Sequence, residues 1–189
     1  MQIINANNYC KSLMQIMKHL VLPSADLSTA FYRMALDYRD SGDRRYYRDV
    51  AKDGFIFEDY IIGLHRNSLG IGLEEGLVPY TTFWLMDDCM DTIFGVSRLR
   101  HRLNNISQKE GGHIGYDVPP SLRGAGNATE LLRLTLLKAR AMGLVRALLT
   151  CDADNFASAR VIEKNGGVLE SIIMSDYTGK LVSRYWINL

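Results

Sequence analysis

The sequence predicts a mixed α/β fold, a central and mostly antiparallel twisted sheet with splayed central strands and flanking helices. Three observations lead to the sheet and its helices. Short segments rich in β-branched and aromatic residues recur at residues 81–86, 92–100, 145–151, 168–174 and 181–187. Between them lie longer stretches whose apolar residues return at helical spacing. Glycine or proline stands at nearly every change from one pattern to the other.

Taken in order, residues 1–16 are polar and asparagine-rich, and read as an N-terminal extension to a single domain spanning 1–189. His19, Leu20, Val21 and Leu22 before Pro23 predict a first strand, and Ser24 is a candidate N-cap for a helix carrying Leu27, Ala30, Phe31, Met34 and Tyr38 on one face. An arginine-rich segment, Asp43-Arg44-Arg45-Tyr46-Tyr47-Arg48-Asp49, reads as a solvated face. Phe55, Phe57, Tyr60, Ile61 and Leu64 predict a second helix, and Gly70, Gly72 and Gly76 a loop. A hairpin follows, turning at Asp87-Asp88, and after a polar connector at Asn104-Asn105 comes another strand. Leu131, Leu132, Leu134, Leu136 and Ala139 predict a long helix stopped by Gly143. Residues 145–151 form the next strand and 155–164 the next helix; the last two strands are joined by a turn at 176–179. The pattern places all strands in one sheet.

Composition narrows the function. At 189 residues, with 47% hydrophobic and 23% charged residues, the chain can bury a sizeable core. A net charge of +1 supplies no broad field for nucleic acid or an anionic membrane, so any anion site must be local. No apolar run reaches bilayer length, no signal-peptide layout is present, and Cys10, Cys89 and Cys151 lack the spacing of a zinc or redox motif. The expectation is a cytoplasmic protein without a metal. Exposed sheet edges leave a homodimer open.

The most informative stretch is 111–130, Gly-Gly-His-Ile-Gly-Tyr-Asp-Val-Pro-Pro-Ser-Leu-Arg-Gly-Ala-Gly-Asn-Ala-Thr-Glu. It reads as strand, glycine turn and helix start. Small residues let the backbone approach a phosphate closely, and the helix dipole favours negative charge there.

Arg123-Gly124-Ala125-Gly126-Asn127-Ala128 resembles the signature of the GNAT superfamily of N-acetyltransferases, an arginine or glutamine, two free positions, glycine, one free position, and glycine or alanine. Asn155-Phe156-Ala157-Ser158 followed by Glu163-Lys164-Asn165-Gly166 is similar to the family's second motif, one strand further on. Within the superfamily the segment looks most like the branch of bacterial acetyltransferases related to ribosomal-protein N-terminal acetyltransferases. The resemblance implies acetyl-CoA as co-substrate, a primary amine of a small molecule or peptide N-terminus as acceptor, and direct attack without a covalent enzyme intermediate. It also implies a fourth strand that diverges from the fifth to admit the pantetheine arm.

Carried onto this chain, the resemblance assigns cofactor binding to Tyr116, Asp117 and Val118 on a strand edge, to Arg123, Gly124, Ala125, Gly126, Asn127, Ala128 and Thr129 around the pyrophosphate, and to Asn155 and Ser158. The Val118 amide is the candidate donor to the thioester carbonyl. Asn155 has the alternative of capping a helix, and Ser158 of being incidental. His113 is the candidate base for the amine, with a hydrogen-bonded structural histidine as the alternative; Glu110 and Asp152 are weaker candidates, and His101 reads as surface. Many family members carry a proton-donating tyrosine seven residues after the asparagine, where this chain has Ile162. Tyr116 or Tyr177 could replace it, but spacing selects neither. Cys151 reads as a small buried hydrophobe rather than a nucleophile. A non-catalytic coenzyme A-binding module stays open as the alternative function.

Overall fold

Two antiparallel sheets, rather than the single one expected from the pattern, carry the chain in the computed structural model, which describes residues 17–189. The N-terminal extension, 1–16, lies outside the described residues. The first sheet has the order β1 (Lys18–Val21), β2 (Tyr80–Asp87), β3 (Gly95–Arg100), β4 (Ile114–Asp117). The second runs β5 (Arg146–Asp152), β7 (Leu181–Asn188), β6 (Val168–Met174). Every pairing is antiparallel. The helices are α1 (Ser28–Asp40), α2 (Tyr47–Val50), α3 (Phe57–Leu69), α4 (Asn105–Lys109), α5 (Asn127–Ala141) and α6 (Phe156–Lys164).

The strand period of two sorts the core into two layers. On β2, Trp84 and Met86 face Phe31, Met34 and Tyr38 of α1 and Phe57 and Ile61 of α3. Phe83 faces the other way, joining Leu99 of β3 and Ile114 of β4 under α5. That second cluster also holds Leu132, Leu136 and Ala139 of α5 with Leu149, Tyr185 and Ile187 of the other sheet. One amphipathic helix therefore packs on both sheets and fixes how they sit together.

Local sequence explains the departures from expectation. Ser24 makes no side-chain cap; a single 3-10 turn at Ala25–Leu27 intervenes, and α1 begins at Ser28. The polar connector at residues 104–105 instead starts α4, because Asn104 accepts from the Ser107 amide (2.9 Å) while the Ser107 hydroxyl accepts from the Asn104 amide (2.9 Å). A serine in the third position fills the part usually played by glutamate or glutamine, so the signal is easy to miss.

β4 and β5 meet only at one end. His113 N–H donates to the Leu148 carbonyl (2.6 Å), and Leu148 N–H donates back to His113 Nδ1 (2.9 Å). The Gly111 amide donates to Thr150 Oγ1 (3.0 Å). Gly112 makes the approach possible: its φ is +61°, and a Cβ there would lie 2.3 Å from the Leu148 carbonyl oxygen. Past this junction the strands share no ladder, and a gap opens between the sheets.

Replacing Gly112 by alanine should therefore disrupt the backbone junction between the sheets. We expect a loss of at least ~2 kcal/mol of unfolding free energy, read by urea denaturation, because backbone strain and a backbone clash coincide. A midpoint equal to that of the wild type would contradict this account of the junction.

Candidate active site

The segment after β4 is built to hold backbone donors outward. A 3-10 turn at Pro120–Leu122 leads into Arg123, then Gly124 and Gly126 take left-handed φ values of +78° and +79° before α5 begins. Three side chains fix this loop. Asp37 of α1 accepts from the Ser121 amide (3.1 Å) and hydroxyl (2.9 Å). Asn127 Nδ2 donates to the Leu122 carbonyl (2.8 Å), while its Oδ1 accepts from Lys18 Nζ of β1 (2.5 Å). The first helical bond of α5 is made by the Glu130 amide, so the backbone N–H groups of residues 124–129 have no acceptor among the described residues. Six such donors at and before the positive end of a 15-residue helix are what an anion would require of a cradle. Arg123 bends back, its Nε donating to the Val118 carbonyl (3.1 Å).

The gap between β4 and β5 continues from this cradle. Because the Arg100 amide donates to the His113 carbonyl, residues 113, 115 and 117 are the ones that bond to β3. The backbone of Tyr116 consequently points into the gap, and continued alternation past the end of β4 would turn the Val118 N–H the same way. Tyr116 spans it with its side chain, its hydroxyl 2.8 Å from Ser158 Oγ in the first turn of α6. Burial, offset in part by the Ser158 hydrogen bond, pushes the Tyr116 pKa up to about 12, so the phenol keeps its proton at neutral pH. Asn155 caps α6 by accepting from the Ser158 amide (3.0 Å). Ile162, at the position of the family's usual tyrosine, is fully buried in the second core cluster. Cys151 is a free, half-buried thiol whose pKa burial raises, which disfavours the nucleophilic thiolate.

Asp117 faces away from Tyr116. Its carboxylate accepts from Arg98 Nη1 (2.9 Å), from the Tyr46 hydroxyl (2.9 Å) and from Arg45. Arg98 Nη2 also donates to the Tyr46 hydroxyl (2.7 Å). Burial works against the Asp117 charge, but Arg98, Arg45 and Tyr46 outweigh it and hold the carboxyl below its usual range. Tyr46 reaches this position with φ +56° and ψ −52°, a backbone conformation unfavourable for an aromatic residue. Beside this cluster a cleft of about 380 Å³ opens among residues from the arginine-rich segment, α3, β2 and β3.

Of the residues expected from the sequence, 116–118 and 123–129 lie on either side of the 3-10 turn that joins β4 to α5, and Tyr116 joins Ser158. Asn155 takes its capping alternative. The Asp117 side chain lies in the arginine cluster on the opposite face from the gap. His113 is 6% exposed and does not lie within β4. Its Nδ1 lone pair is occupied by the Leu148 amide, and burial, with Arg100 and Arg146 adding positive charge, lowers its pKa. The imidazole is a strut between the sheets, with no free lone pair on Nδ1 to accept a proton. Glu110 accepts from Ser175 Oγ and the Asp176 amide, and so holds the β6–β7 turn. His101 lies 2.8 Å from Thr81 Oγ1. Sequence reasoning gave Arg45 and Arg98 no role and did not join Tyr46 to them: Tyr46 is 71 positions from Asp117 and 52 from Arg98, and a charged run gives no periodic signal of such partners.

This combination of splayed sheets, a glycine turn at a helix N-terminus and a bare strand edge is that of an acyl-transferring enzyme. A family profile, the acetyltransferase (GNAT) domain, matches residues 30–168, and the chain belongs to that family. It is an acetyltransferase, in agreement with the motifs. A search of curated proteins returns no match. Among solved structures, the chain is similar to the Salmonella typhimurium acetyltransferase that modifies the N-terminal serine of 50S ribosomal subunit protein L7/L12 (15% identity, TM-score 0.63, 93% of this chain and 96% of that one). It is similar to the ribosomal-protein-S5-alanine acetyltransferase of Vibrio fischeri (14%, 0.60, 93% and 95%). It also resembles the microcin C7 self-immunity acetyltransferase MccE, whose structure contains acetyl-CoA and AMP (16%, 0.62, 93% and 94%). Among the described residues no helix is long and apolar enough to cross a membrane.

The His113 strut carries a pH signature. Below about pH 6.5 an unfolded histidine takes up a proton that the folded His113 resists, so acid favours unfolding. Wild-type protein should lose melting temperature between pH 7.5 and 5.5, and His113→Asn, whose Oδ1 can still accept from Leu148, should lose less. Equal acid sensitivity in the two proteins would remove His113 as the source.

Proposed function

We propose that this acetyltransferase uses acetyl-CoA to acetylate a primary amine, of a small molecule or a peptide N-terminus, by direct attack. The observation that carries the reading is the continuity of unmatched backbone donors, from residues 124–129 to the β4 edge in the gap between the sheets. The six amides suit a pyrophosphate, and Arg123 adds positive charge beside them. The Tyr116 backbone suits a pantetheine amide chain pairing as a short extra strand. Bound acetyl-CoA supplies an activated acetyl group as a thioester.

Polarisation of the carbonyl and protonation of the leaving sulfur then fall to groups of this chain. The Val118 N–H donates to the carbonyl oxygen as negative charge develops there. The amine enters from the Asp117 face. As the C–N bond forms and the C–S bond breaks, the electron pair leaves with sulfur, and Tyr116 gives it the phenolic proton. Ser158 is placed to return a proton from solvent to the Tyr116 oxygen, and the proton shed by the amine leaves to water. Tyr116 replaces the donor that the chain lacks at Ile162, and the geometry that supports this is its hydroxyl's place across the gap rather than any sequence spacing.

Two outcomes test the reading. Ala125→Asp places a negative charge among the cradle amides at an exposed position; acetyl-CoA affinity by calorimetry should fall about 10- to 100-fold with an unchanged melting temperature. Undiminished binding would show that the anion is held elsewhere. Tyr116→Phe should lower kcat about 10- to 100-fold while the acetyl-CoA dissociation constant stays near that of wild type. Full kcat in this variant would leave the thiolate to be protonated by water.

A further inference from the structure

We infer that the cleft beside Asp117 selects an amine acceptor that also carries an anionic group, a carboxylate or a phosphate; this rests on the acetyltransferase reading above. The cleft wall contains Arg45, Arg48 and Arg98, against a single acid, Asp49. Asp49 is already engaged by Lys52 (2.7 Å). Beneath the cleft, Asp117 pairs with both Arg45 and Arg98 and Asp43 pairs with Arg45 (2.8 Å), so the unpaired positive charge of the wall is that of Arg48. Arg48 is exposed at the rim and has no ionic or hydrogen-bonded partner among the described residues.

Neutral groups in the wall add further donors. The Tyr60 hydroxyl has no protein partner among the described residues, and burial, opposed by the Arg98 charge, raises its pKa to about 12, so it stays protonated. The Tyr80 hydroxyl accepts from Asn67 Nδ2 (2.8 Å), which leaves its own proton to donate. A wall with three guanidinium groups and two phenolic protons satisfies a ligand rich in acceptor oxygens. A polycationic amine meets repulsion there, and a neutral alkylamine leaves those donors unanswered.

The direction of the cleft gives the two ends of such a ligand separate places. Its floor is the Tyr46–Arg98–Asp117 cluster, and Asp117 is flanked in β4 by Tyr116, which faces the gap, and just beyond it by Val118. An amine at the floor approaches β4 while the anionic group remains at the rim with Arg48 and Arg45. The strained Tyr46 backbone is the constraint that places a hydroxyl, rather than a further charge, in contact with both Arg98 and Asp117.

The test uses the full chain with acetyl-CoA and acceptors in matched pairs: β-alanine against β-alaninamide, glutamate against glutamine, phosphoethanolamine against ethanolamine, and an aspartate-containing against a lysine-containing tripeptide amide. The anionic member of at least one pair should have a kcat/KM about tenfold higher, with the preference shrinking as salt rises. The carboxylate and phosphate pairs identify which anion is recognised. Arg48→Gln should remove most of the preference by raising KM for the anionic member, and Arg48→Lys should restore part of it. If acetyl-CoA binds by calorimetry but no anionic amine is preferred over its partner, the inference is overturned and the acetyltransferase reading stands. If acetyl-CoA does not bind, both fall.

Discussion

The contact between Gly112-His113 and Leu148 is the constraint on which the site depends. It brings the start of β4 and β5 close enough for two reciprocal hydrogen bonds, beyond which the two strands share no ladder. Helix α5 lies across both sheets and keeps them from parting completely. The outcome is a strand edge inside the protein with unanswered backbone groups. Such groups cost free energy unless a partner arrives. In the proposed complex the co-substrate is that partner, so the same feature that weakens the fold locally provides affinity.

A second consequence follows from the pleat. Neighbouring residues of β4 point to opposite faces, so Tyr116 looks toward α6 and Asp117 toward the arginine-rich segment, one residue apart. In the proposed reaction the thioester and the amine come from these two sides and meet at the strand. Separate sides allow each to evolve its own chemistry. The α6 side holds a neutral phenol, whereas the wall of the other side carries three arginines.

Much of this was legible in the sequence, and the limits have physical causes. The glycine turn was readable because Gly124 and Gly126 adopt backbone conformations that other residues resist, and α5 because a 15-residue amphipathic pattern is hard to mistake. The division into two sheets was not, since each strand's alternation records which faces are buried and says nothing about which neighbour it pairs with. The Tyr46–Arg98–Asp117 cluster was hidden for the same reason: its members belong to three distant segments, and only the strained turn before α2 brings the tyrosine inward. Asn155 illustrates a different limit. An asparagine at a strand–helix junction suits both a cap and a ligand contact, and the observed bond to the Ser158 amide satisfies the local need first.

His113 and Tyr116 show why residue type alone could not assign the proton chemistry. Burial penalises the charged form of either, which leaves a histidine neutral and a tyrosine neutral. The consequences are opposite. A neutral histidine is useful as a base only through its bare nitrogen, and in His113 the Leu148 amide occupies Nδ1. A neutral tyrosine still holds the proton that an acid must give, and Tyr116 faces a serine able to pass one on. The same desolvation that turns the expected base into a strut thus makes a residue first valued for its backbone the better-placed proton donor. What decides between them is the partner of the titrating atom: a backbone amide that fills the lone pair of His113, or a serine hydroxyl that can exchange a proton with Tyr116.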